Sequence, residues 1–362
     1  MNVLADYHHG DLYYSLHLLF EERLGMKLYR PIGWDWFYKG FWKIAEPYNN
    51  APDTIEQFLG VPSPSKPSHE HEVHRYGEVT VEDGVYHIPC LLPDGYYIQK
   101  AITFDKFLKM DFKYIIATYH GHDEAYYMLC KKYKPEAVYI MQIGNIHVVP
   151  RYAKNVMMAV DEPMPPNVNY IKYFPEHHRA YCYEPPKNHN VIKSFINCLE
   201  QGQIQRTLWY RYERALPEFV FKMHGILGRD GVIGNNMMPQ AIKDSAFVWH
   251  VKETGCGGFV PRQALSCGRP VIIKSSFIRQ HNTLEGILYE DSVNCIDLDA
   301  GTMVENINKI KYFSDPDRHN EMCKRTAEKF RKDVDFDKEA EKIRGWLETL
   351  KPIGQKSSST VP

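Results

Sequence analysis

The sequence predicts an α/β protein made of two domains. The chain has 362 residues, which is long for one domain and comfortable for two. Buried strand patterns alternate with helical patterns through most of the chain, and strands separated by helices form parallel sheets. A proline-containing segment at residues 183–190, YEPPKNHN, can continue neither kind of element. We therefore expect a first domain at 1–183 and a second at 184–334.

The first domain opens with the pattern strand, glycine-containing loop, helix. Met1–Asp6 is predicted as a buried strand, and the helix begins at Asp11. The other elements predicted in this domain are a strand at Tyr114–Thr118, a helix at Asp123–Tyr133, a strand at Ala137–Ile143, and weaker strands at Val156–Val160 and Asn169–Tyr173.

The second domain repeats this rhythm. Its predicted strands are Phe219–Met223, Ala246–Val251, Pro270–Lys274 and Asn294–Leu298, with helical segments at Pro239–Lys243 and Pro261–Cys267. Three further helical stretches follow between residues 301 and 350. The Ser-rich end, residues 352–362, is predicted to be a disordered tail.

Composition limits the possible functions. The 44 Lys and Arg residues balance the 45 Asp and Glu residues, so total charge indicates neither a nucleic-acid partner nor a membrane partner. The eight cysteines include no CxxC pair, and several lie in apolar runs, as buried reduced thiols do. The N-terminal segment reads as neither a signal peptide nor a membrane span. We therefore expect a cytoplasmic protein.

The segment Gly255–Ser276 carries the most chemical information. Three glycines after a strand, at positions 255, 257 and 258, let the backbone approach a ligand closely. The following helix, with Pro261 in its first turn, directs free N–H groups at that ligand and can bind a phosphate without a metal. Gln263 is placed to hydrogen-bond a ribose, and Gly268 suits the helix C-terminus. A dehydrogenase fingerprint does not fit the glycine spacing; a purely structural strand–turn–helix stays open.

The run QALSCGRPV at 263–271 resembles the donor-site motif of the large retaining GT-B glycosyltransferase family that includes glycogen and sucrose synthases. In that motif, Glu-Gly-Phe-Gly is followed by Glu-Ala-hydrophobic-Ala-x-Gly-x-Pro-Val. Here Gly255 and Gln263 replace the two glutamates, and Glu253 could supply the first carboxylate. The resemblance implies two Rossmann-like domains with parallel sheets facing an interdomain cleft. It also implies a helix at 335–351 that crosses back to the first domain.

The same resemblance implies a donor site for a nucleotide sugar, most simply a UDP-sugar, with no metal and no other cofactor. The turn Gly231–Gly234, which contains Ile233, is similar to the family's nucleobase-contacting turn. Basic residues are needed to neutralise the diphosphate, and Lys187 and Lys252 are the nearest candidates, with Arg179 behind them. The candidate donor-binding residues are Lys187, Ile233, Lys252, Glu253, Gly257, Gly258, Phe259 and Gln263.

Catalytic candidates lie in the first domain. The segment YHGHD at 119–123 resembles the family's His-x-His-Asp segment, in which a His faces the reacting sugar; we favour His122 over His120. Asp123 is a second candidate, although an acidic residue there also suits a helix N-cap. The run QIGN at 142–145 matches the next family loop. His8 and His9 follow the first strand, where His9 could act as base and His8 and Gly10 could contact the acceptor.

Aromatic residues among basic ones form two further patches. Trp34, Lys39 and their neighbours could bind an extended acceptor, or they could be the core face of a helix. Arg206, Arg211 and Arg214 surround Trp209 and Tyr210 in the second patch. The histidines of HEHEVH at 69–74 could suggest a metal site, but a solvated loop is the better interpretation.

The leading hypothesis is therefore a metal-independent, retaining glycosyltransferase with no membrane insertion. The chain is also similar to phage enzymes that glycosylate hydroxymethylated pyrimidines, so double-stranded DNA is a candidate partner, its target base flipped from the duplex. Two alternatives remain open: a glycosyltransferase of surface polysaccharide or glycoprotein synthesis, and a non-catalytic α/β nucleotide-binding protein.

Overall fold

The chain folds into two units, each built on its own sheet. Unit 1 contains residues 1–159, 163–176 and 336 onward, and unit 2 contains residues 160–162 and 177–335. The computed structural model describes residues 1–7, 10–32, 36, 78–144, 147–253, 257–281 and 283–354. Within these ranges, no helix is both long enough and apolar enough to cross a membrane.

The described part of unit 1 contains a nine-stranded sheet. Its strands are β1 (Asn2–Ala5), β2 (Lys27–Pro31), β3 (Thr80–Glu82), β4 (Val85–Leu92), β5 (Gly95–Ile102), β6 (Tyr114–Ala117), β7 (Val138–Ile143), β8 (Asn155–Met158) and β9 (Asn169–Lys172). The strand order is β3-β4-β5-β2-β1-β6-β7-β8-β9, and each pairing from β5 to β9 is parallel. Strands β6 and β7 are buried along their whole length, as strands covered on both faces are.

No element is predicted for residues 80–102, which form the antiparallel edge β3-β4-β5. Asp83 and Gly84 join β3 to β4, and both have positive φ values, 47° and 74°. A two-residue hairpin turn of type I′ needs this geometry, and an Asp-Gly pair adopts it readily. The Asp-Gly pair that joins β3 to β4 is therefore a sequence feature that indicates this antiparallel hairpin.

Helices accompany the parallel strands of unit 1. They are α1 (Gly10–His17), which continues as a π-helical segment at Leu18–Arg23, then α2 (Phe104–Lys109) and α3 (Asp123–Tyr133). Helix α3 has the predicted bounds. Its Ala125, Tyr126 and Leu129 are buried at helical spacing, which explains why periodicity found it.

Unit 2 is built on a five-stranded parallel sheet, as far as the structure describes it. Its strands are β10 (Val191–Ser194), β11 (Val220–Met223), β12 (Phe247–Trp249), β13 (Val271–Ile273) and β14 (Cys295–Asp297), in the order β11-β10-β12-β13-β14. Its helices are α4 (Gln203–Ala215), α5 (Met238–Lys243), α6 (Val260–Ser266), α7 (Ser275–Gln280), α8 (Met303–Phe313) and α9 (Pro316–Asp333). Trp209 on α4 packs edge-on against Phe221 and Trp249 in the core of this unit.

The last described helix, α10 (Phe336–Thr349), belongs to unit 1. Its buried residues Ala340, Ile343 and Leu347 pack in one cluster with Leu16 and Phe20. A helix from the end of the described chain thus completes the core of the first unit. Its bounds lie within the predicted range 335–351.

Two predicted boundaries differ from the structure. The chain passes into unit 2 at His177, before the predicted end of the first domain at 183. The ring of His177 packs against Tyr181 and Phe330, which holds this segment on unit 2. The prolines at 185 and 186 therefore mark a loop of unit 2 and not the domain boundary.

The predicted tail 352–362 is ordered at its start. The backbone N–H of Ile353 donates to the carbonyl of Ala137 at 3.1 Å, and that of Gly354 donates to Pro135 at 2.8 Å. Residues 355–362 lie outside the described residues.

Candidate functional site

The glycine turn of unit 2 lies at the carboxyl edge of its sheet. It follows β12 and leads into α6, and in α/β sheets ligands bind beside such turns. Gly258 has a φ of 74°, a left-handed conformation that favours glycine. Gly268 ends α6 with a φ of 72°, as predicted for a C-terminal glycine. Gly255 lies outside the described residues, so its replacement of the family glutamate has no structural counterpart here.

Gly257 lies where a larger residue would displace the Glu285 side chain. A Cβ atom at this position would be 2.8 Å from Oε2 of Glu285 and 3.4 Å from Cβ of Thr283. Glu285 is buried and forms an ion pair with Arg262, whose Nε lies 3.1 Å from Oε1. Burial raises the pKa of Glu285, and the positive charges of Arg262 and Lys252 offset part of that rise. The glycine turn therefore packs on a buried carboxylate that comes from another loop.

Arg262 and Glu285 are functional candidates that the sequence analysis does not identify. Arg262 lies in the first turn of α6, and its guanidinium also lies 4.8 Å from the centre of the Phe259 ring. The sequence offers only one indication of Arg262, which is its position: a cation at the start of this helix is close to the predicted phosphate. Gln263, one residue later, is buried in the same turn.

The two predicted cations, Lys187 and Lys252, lie in different places. Lys252 follows β12 at the carboxyl edge, and its charge acts on both Glu285 and His250. Lys187 precedes β10, and its neighbour Asn188 donates a hydrogen bond to the carbonyl of Asp244, just before β12. Because the strands are parallel, Lys187 lies at the amino edge, away from the glycine turn. The structure thus separates Lys187 from the glycine turn, and a contact between Lys187 and the donor stays a prediction.

Glu253 has a structural role that differs from the predicted one. Its Oε2 accepts hydrogen bonds from the N–H groups of Ile204, at 3.0 Å, and Gln205, at 3.4 Å, in the first turn of α4. Its own N–H donates to Oε1 of Gln205 at 2.7 Å. Glu253 therefore caps a neighbouring helix, and its contact with the donor sugar stays a prediction.

Ile233 is half-buried in the loop that follows β11. Gly231, in the same turn, has a φ of 78°. The tight turn that the sequence predicts there is present, and its contact with a nucleobase stays a prediction.

In unit 1, Asp6 and His122 pair at the carboxyl ends of β1 and β6. The two side chains are buried, and Nδ1 of His122 lies 2.5 Å from Oδ2 of Asp6. The hydroxyl of Tyr126 donates to the other oxygen of Asp6 at 3.3 Å. Burial alone would lower the pKa of His122, but the charge and the hydrogen bond of Asp6 outweigh it and raise that pKa above 6.5. Asp6 is a site residue that sequence analysis missed.

Asp123 anchors a loop. Its carboxylate accepts hydrogen bonds from the hydroxyl of Tyr139, at 2.8 Å, and from the backbone N–H groups of Arg151 and Tyr152, at 2.9 and 3.0 Å. The side chain does not cap α3, so the N-cap interpretation is wrong. These hydrogen bonds are enough to explain why the Asp123 carboxylate is buried, and a catalytic role for it stays a prediction.

Other unit 1 candidates are described only in part. Gly10 begins α1, and a Cβ there would meet only the hydroxyl of Tyr7 at 3.7 Å, so this position does not require glycine. Gln142 is buried near the end of β7, and its amide has no hydrogen-bond partner in the described part of the chain. The candidates His8, His9, Trp34 and Lys39 and the histidine-rich segment 69–74 lie outside the described residues.

The structure describes one tryptophan in each of the two aromatic patches, and both are buried. Trp36 is fully buried against Phe104 and Phe107, and its indole N–H donates to the carbonyl of Ile102 at 2.8 Å. Trp209 is equally buried in the core of unit 2. Neither ring offers a stacking surface. The core-helix alternative is right for Trp36.

No protein-family model and no curated protein sequence matches the chain. Solved structures do match it over nearly its whole length. The pneumococcal O-GlcNAc transferase GtfA, in complex with UDP and GlcNAc, is similar with a TM-score of 0.55 and 11% identity, over 96% of this chain and 98% of that chain. S. aureus TarM, in a complex that includes UDP, has a TM-score of 0.58 and 10% identity, over 96% and 100%.

An alpha-glucosyltransferase in complex with UDP and a 13-mer DNA containing an HMU base has a TM-score of 0.61 and 12% identity, over 96% of this chain and 99% of that chain. These levels of identity establish architecture. The parallel sheets of the two units and the return of α10 to unit 1 agree with it. The chain has the GT-B fold, as the donor-segment resemblance implied.

Proposed function

We propose that this protein is a glycosyltransferase that moves a sugar from a UDP-sugar to a hydroxyl acceptor. One observation carries the proposal: in a chain with the GT-B fold, a glycine turn and a helix start lie at the carboxyl edge of the unit 2 sheet. Buried Arg262 and nearby Lys252 accompany the turn. Backbone N–H groups and cations of this kind suit a diphosphate leaving group.

In the proposed reaction, the bond between the anomeric carbon and the diphosphate breaks, and the acceptor oxygen bonds to that carbon. UDP leaves with the electron pair and takes up the proton that the acceptor hydroxyl loses. Gly257, Gly258 and the start of α6 bind the diphosphate, and Lys252 and Arg262 stabilise its charge. Unit 1 supplies the acceptor side, with His122 oriented by Asp6.

We also propose retention at the anomeric carbon, because the QALSCGRPV run resembles a retaining family. For the acceptor, we propose a 5-hydroxymethylated pyrimidine in DNA. The similarity in fold to an alpha-glucosyltransferase solved with HMU-containing DNA supports this choice. The buried Trp36 and Trp209 lend it no support, so the acceptor rests on the fold alone.

The decisive experiment measures UDP release from a panel of UDP-sugars, with and without duplex DNA containing hydroxymethylcytosine or hydroxymethyluracil. Release that rises with modified DNA, together with transfer of labelled sugar to it, is the expected result. Release without transfer to DNA would overturn only the acceptor and favour a polysaccharide or glycoprotein substrate. If no UDP-sugar is turned over but UDP binds, the protein is a non-catalytic nucleotide-binding protein. NMR of the product gives the anomeric configuration.

Gln263→Ala tests where the ribose binds. Because a ribose hydroxyl would lose its amide partner, we expect the KM for the UDP-sugar to rise about five- to tenfold with kcat nearly unchanged. Steady-state kinetics measure both. An unchanged KM would contradict the placement of the ribose at Gln263.

A further inference from the structure

Three buried side chains around the glycine turn carry polar atoms that have no hydrogen-bond partner among the described residues. They are a ring nitrogen of His250, Nδ1 of His281 and the hydroxyl of Thr283. Their residues have exposed fractions of only 6%, 8% and 7%. A buried polar group without a partner destabilises the fold, so three together need an explanation.

The three residues lie beside the two ends of the glycine turn. One ring nitrogen of His250 donates a hydrogen bond to the backbone of Gly257. Cβ of Thr283 is 3.4 Å from the position that a Gly257 Cβ would take. Nε2 of His281 lies 2.9 Å from the carbonyl oxygen of Glu253, four residues before Gly257. Strands β12 and β13 are adjacent and parallel, which brings the loops after them together at one edge.

Together, the donors and acceptors of His250, His281 and Thr283 suit a ligand that carries hydroxyl groups. Nε2 of His281 must donate to the Glu253 carbonyl, so Nδ1 of the neutral ring is an acceptor. Burial lowers the pKa of His250 to about 3, so the second nitrogen of its neutral ring is an acceptor. The Thr283 hydroxyl can both donate and accept. Sugar hydroxyls do the same, and they match this mixture better than an anion does.

The buried carboxylate of Glu285 disfavours an acidic sugar. Its ion pair with Arg262 already uses that cation, and the proposed diphosphate uses the charge of Lys252. A second carboxylate would face Glu285 and the acceptor nitrogen of His281. A neutral hexose brings no such repulsion.

We propose that His250, His281 and Thr283 form the subsite that binds the hydroxyls of the transferred sugar, and that this sugar is a neutral hexose. This inference rests on the proposed UDP-sugar activity and names the part of the donor that these residues recognise. The first glutamate of the family motif contacts the donor sugar. Here Gly255 has no side chain for that contact and the Glu253 carboxylate binds the start of α4, so we assign the contact to these three residues.

Thr283→Val is the central test, because it keeps the shape of the side chain and removes only the hydroxyl. Calorimetry would compare the affinities for UDP and for the UDP-sugar that the wild-type enzyme turns over fastest. We expect about a five- to tenfold loss of UDP-sugar affinity with unchanged UDP affinity. Tm should stay the same or rise, since an unsatisfied buried hydroxyl is removed. Thr326→Val is the matched control, because Thr326 is a buried threonine of α9 whose hydroxyl donates to the Met322 carbonyl.

His250→Phe provides a second variant that removes both ring nitrogens from the same buried volume. It should lose UDP-sugar affinity while UDP affinity is kept. Wild-type enzyme should also prefer UDP-glucose, UDP-galactose or UDP-N-acetylglucosamine to UDP-glucuronate by at least about tenfold.

Two outcomes would overturn the inference while leaving the proposed function intact. One is an unchanged ratio of UDP-sugar to UDP affinity in Thr283→Val, and the other is a preference for UDP-glucuronate. A loss of Tm in Thr283→Val with normal sugar binding would assign the hydroxyl a structural role. If the wild-type protein binds no UDP-sugar at all, the proposed function fails first and the subsite with it.

Discussion

Asp6 and His122 are a buried carboxylate–imidazole pair formed by residues far apart in the sequence. The pair exists because β1 and β6 are adjacent and parallel, so that both strands end at the same edge of the sheet. A carboxylate bound to one ring nitrogen fixes the orientation of the ring and favours its protonated form. His122 is thus a positioned, pH-sensitive group, whichever substrate it meets.

The first prediction concerns this pair. In Asp6→Asn the negative charge is lost and burial becomes the dominant influence, so the pKa of His122 should fall below 6.5. NMR titration of the imidazole measures this directly. His319 is the control: its pKa, which burial lowers, should be the same in the two proteins, because it belongs to unit 2. A His122 pKa that does not fall in the variant would contradict the pairing.

Glu253 illustrates how an element can depend on one side chain from a different loop. The first turn of α4 has N–H groups that its own residues do not cap. The Glu253 carboxylate accepts two of them, and its negative charge also suits the positive end of the helix. The loop after β12 and the start of α4 are therefore held together.

The second prediction tests this cap. Glu253→Ala should lower the free energy of unfolding by about 0.5–2 kcal/mol, as the loss of a helix cap does. Urea denaturation measures the loss, and Glu328→Ala, at an exposed position on α9, is the control. Should stability stay constant while the KM for the UDP-sugar rises, the original sugar-binding interpretation of Glu253 would be restored.

Elements with strong local signals were predictable from the sequence, and those without them were not. The runs YIIA in β6 and VYIMQI in β7 are buried throughout, so their apolar character is visible in the sequence. Strand β10 (VIKS) is short and carries a lysine, so its burial depends on neighbours that the local sequence does not reveal. Strand β3 is exposed along its length and is recognisable only by its turn.

The candidate site divides in the same way. Gly257 and the start of α6 are consecutive in the chain, so they can be recognised together as a motif in the sequence. His281, Thr283 and Glu285 approach that motif from the segment after α7, through the pairing of parallel strands. A single sequence does not contain that register. Sequence analysis therefore does not find residues contributed by tertiary contact, and it includes Lys187 because that residue follows the predicted domain boundary.

At the scale of the whole molecule, buried histidines make unit 2 sensitive to acid. Burial is the largest cause that lowers the pKa of His177 and His250 to about 3 and that of His319 to about 4. All three belong to unit 2. Each stays neutral in the folded protein at a pH where the unfolded chain binds a proton.

The third prediction follows from the sign of these shifts. A lowered folded-state pKa gives stability that is fully present above 6.5 and is lost as pH falls toward 3 to 4. Hydrogen exchange of the β10 to β14 amides, compared between roughly pH 7.5 and pH 5, should show weaker protection at the lower pH after correction for intrinsic exchange rates. For His122 the sign is opposite: its pair with Asp6 stabilises fully below 6.5 and loses strength as pH rises through the raised pKa. Protection in unit 2 that is equal at both pH values would contradict the prediction.

The return of α10 to unit 1 has a consequence for synthesis on the ribosome. The core of unit 1 includes both Val3 and Leu347, so it lacks a packing face until translation has passed the last turn of α10. All residues of unit 2 precede Phe336 and have been synthesised by then. Every residue of the second unit can therefore be synthesised while the first unit still exposes apolar surface around Leu16 and Phe20. A chain truncated before Phe336 would contain the whole second unit and would lack the helix that completes the first.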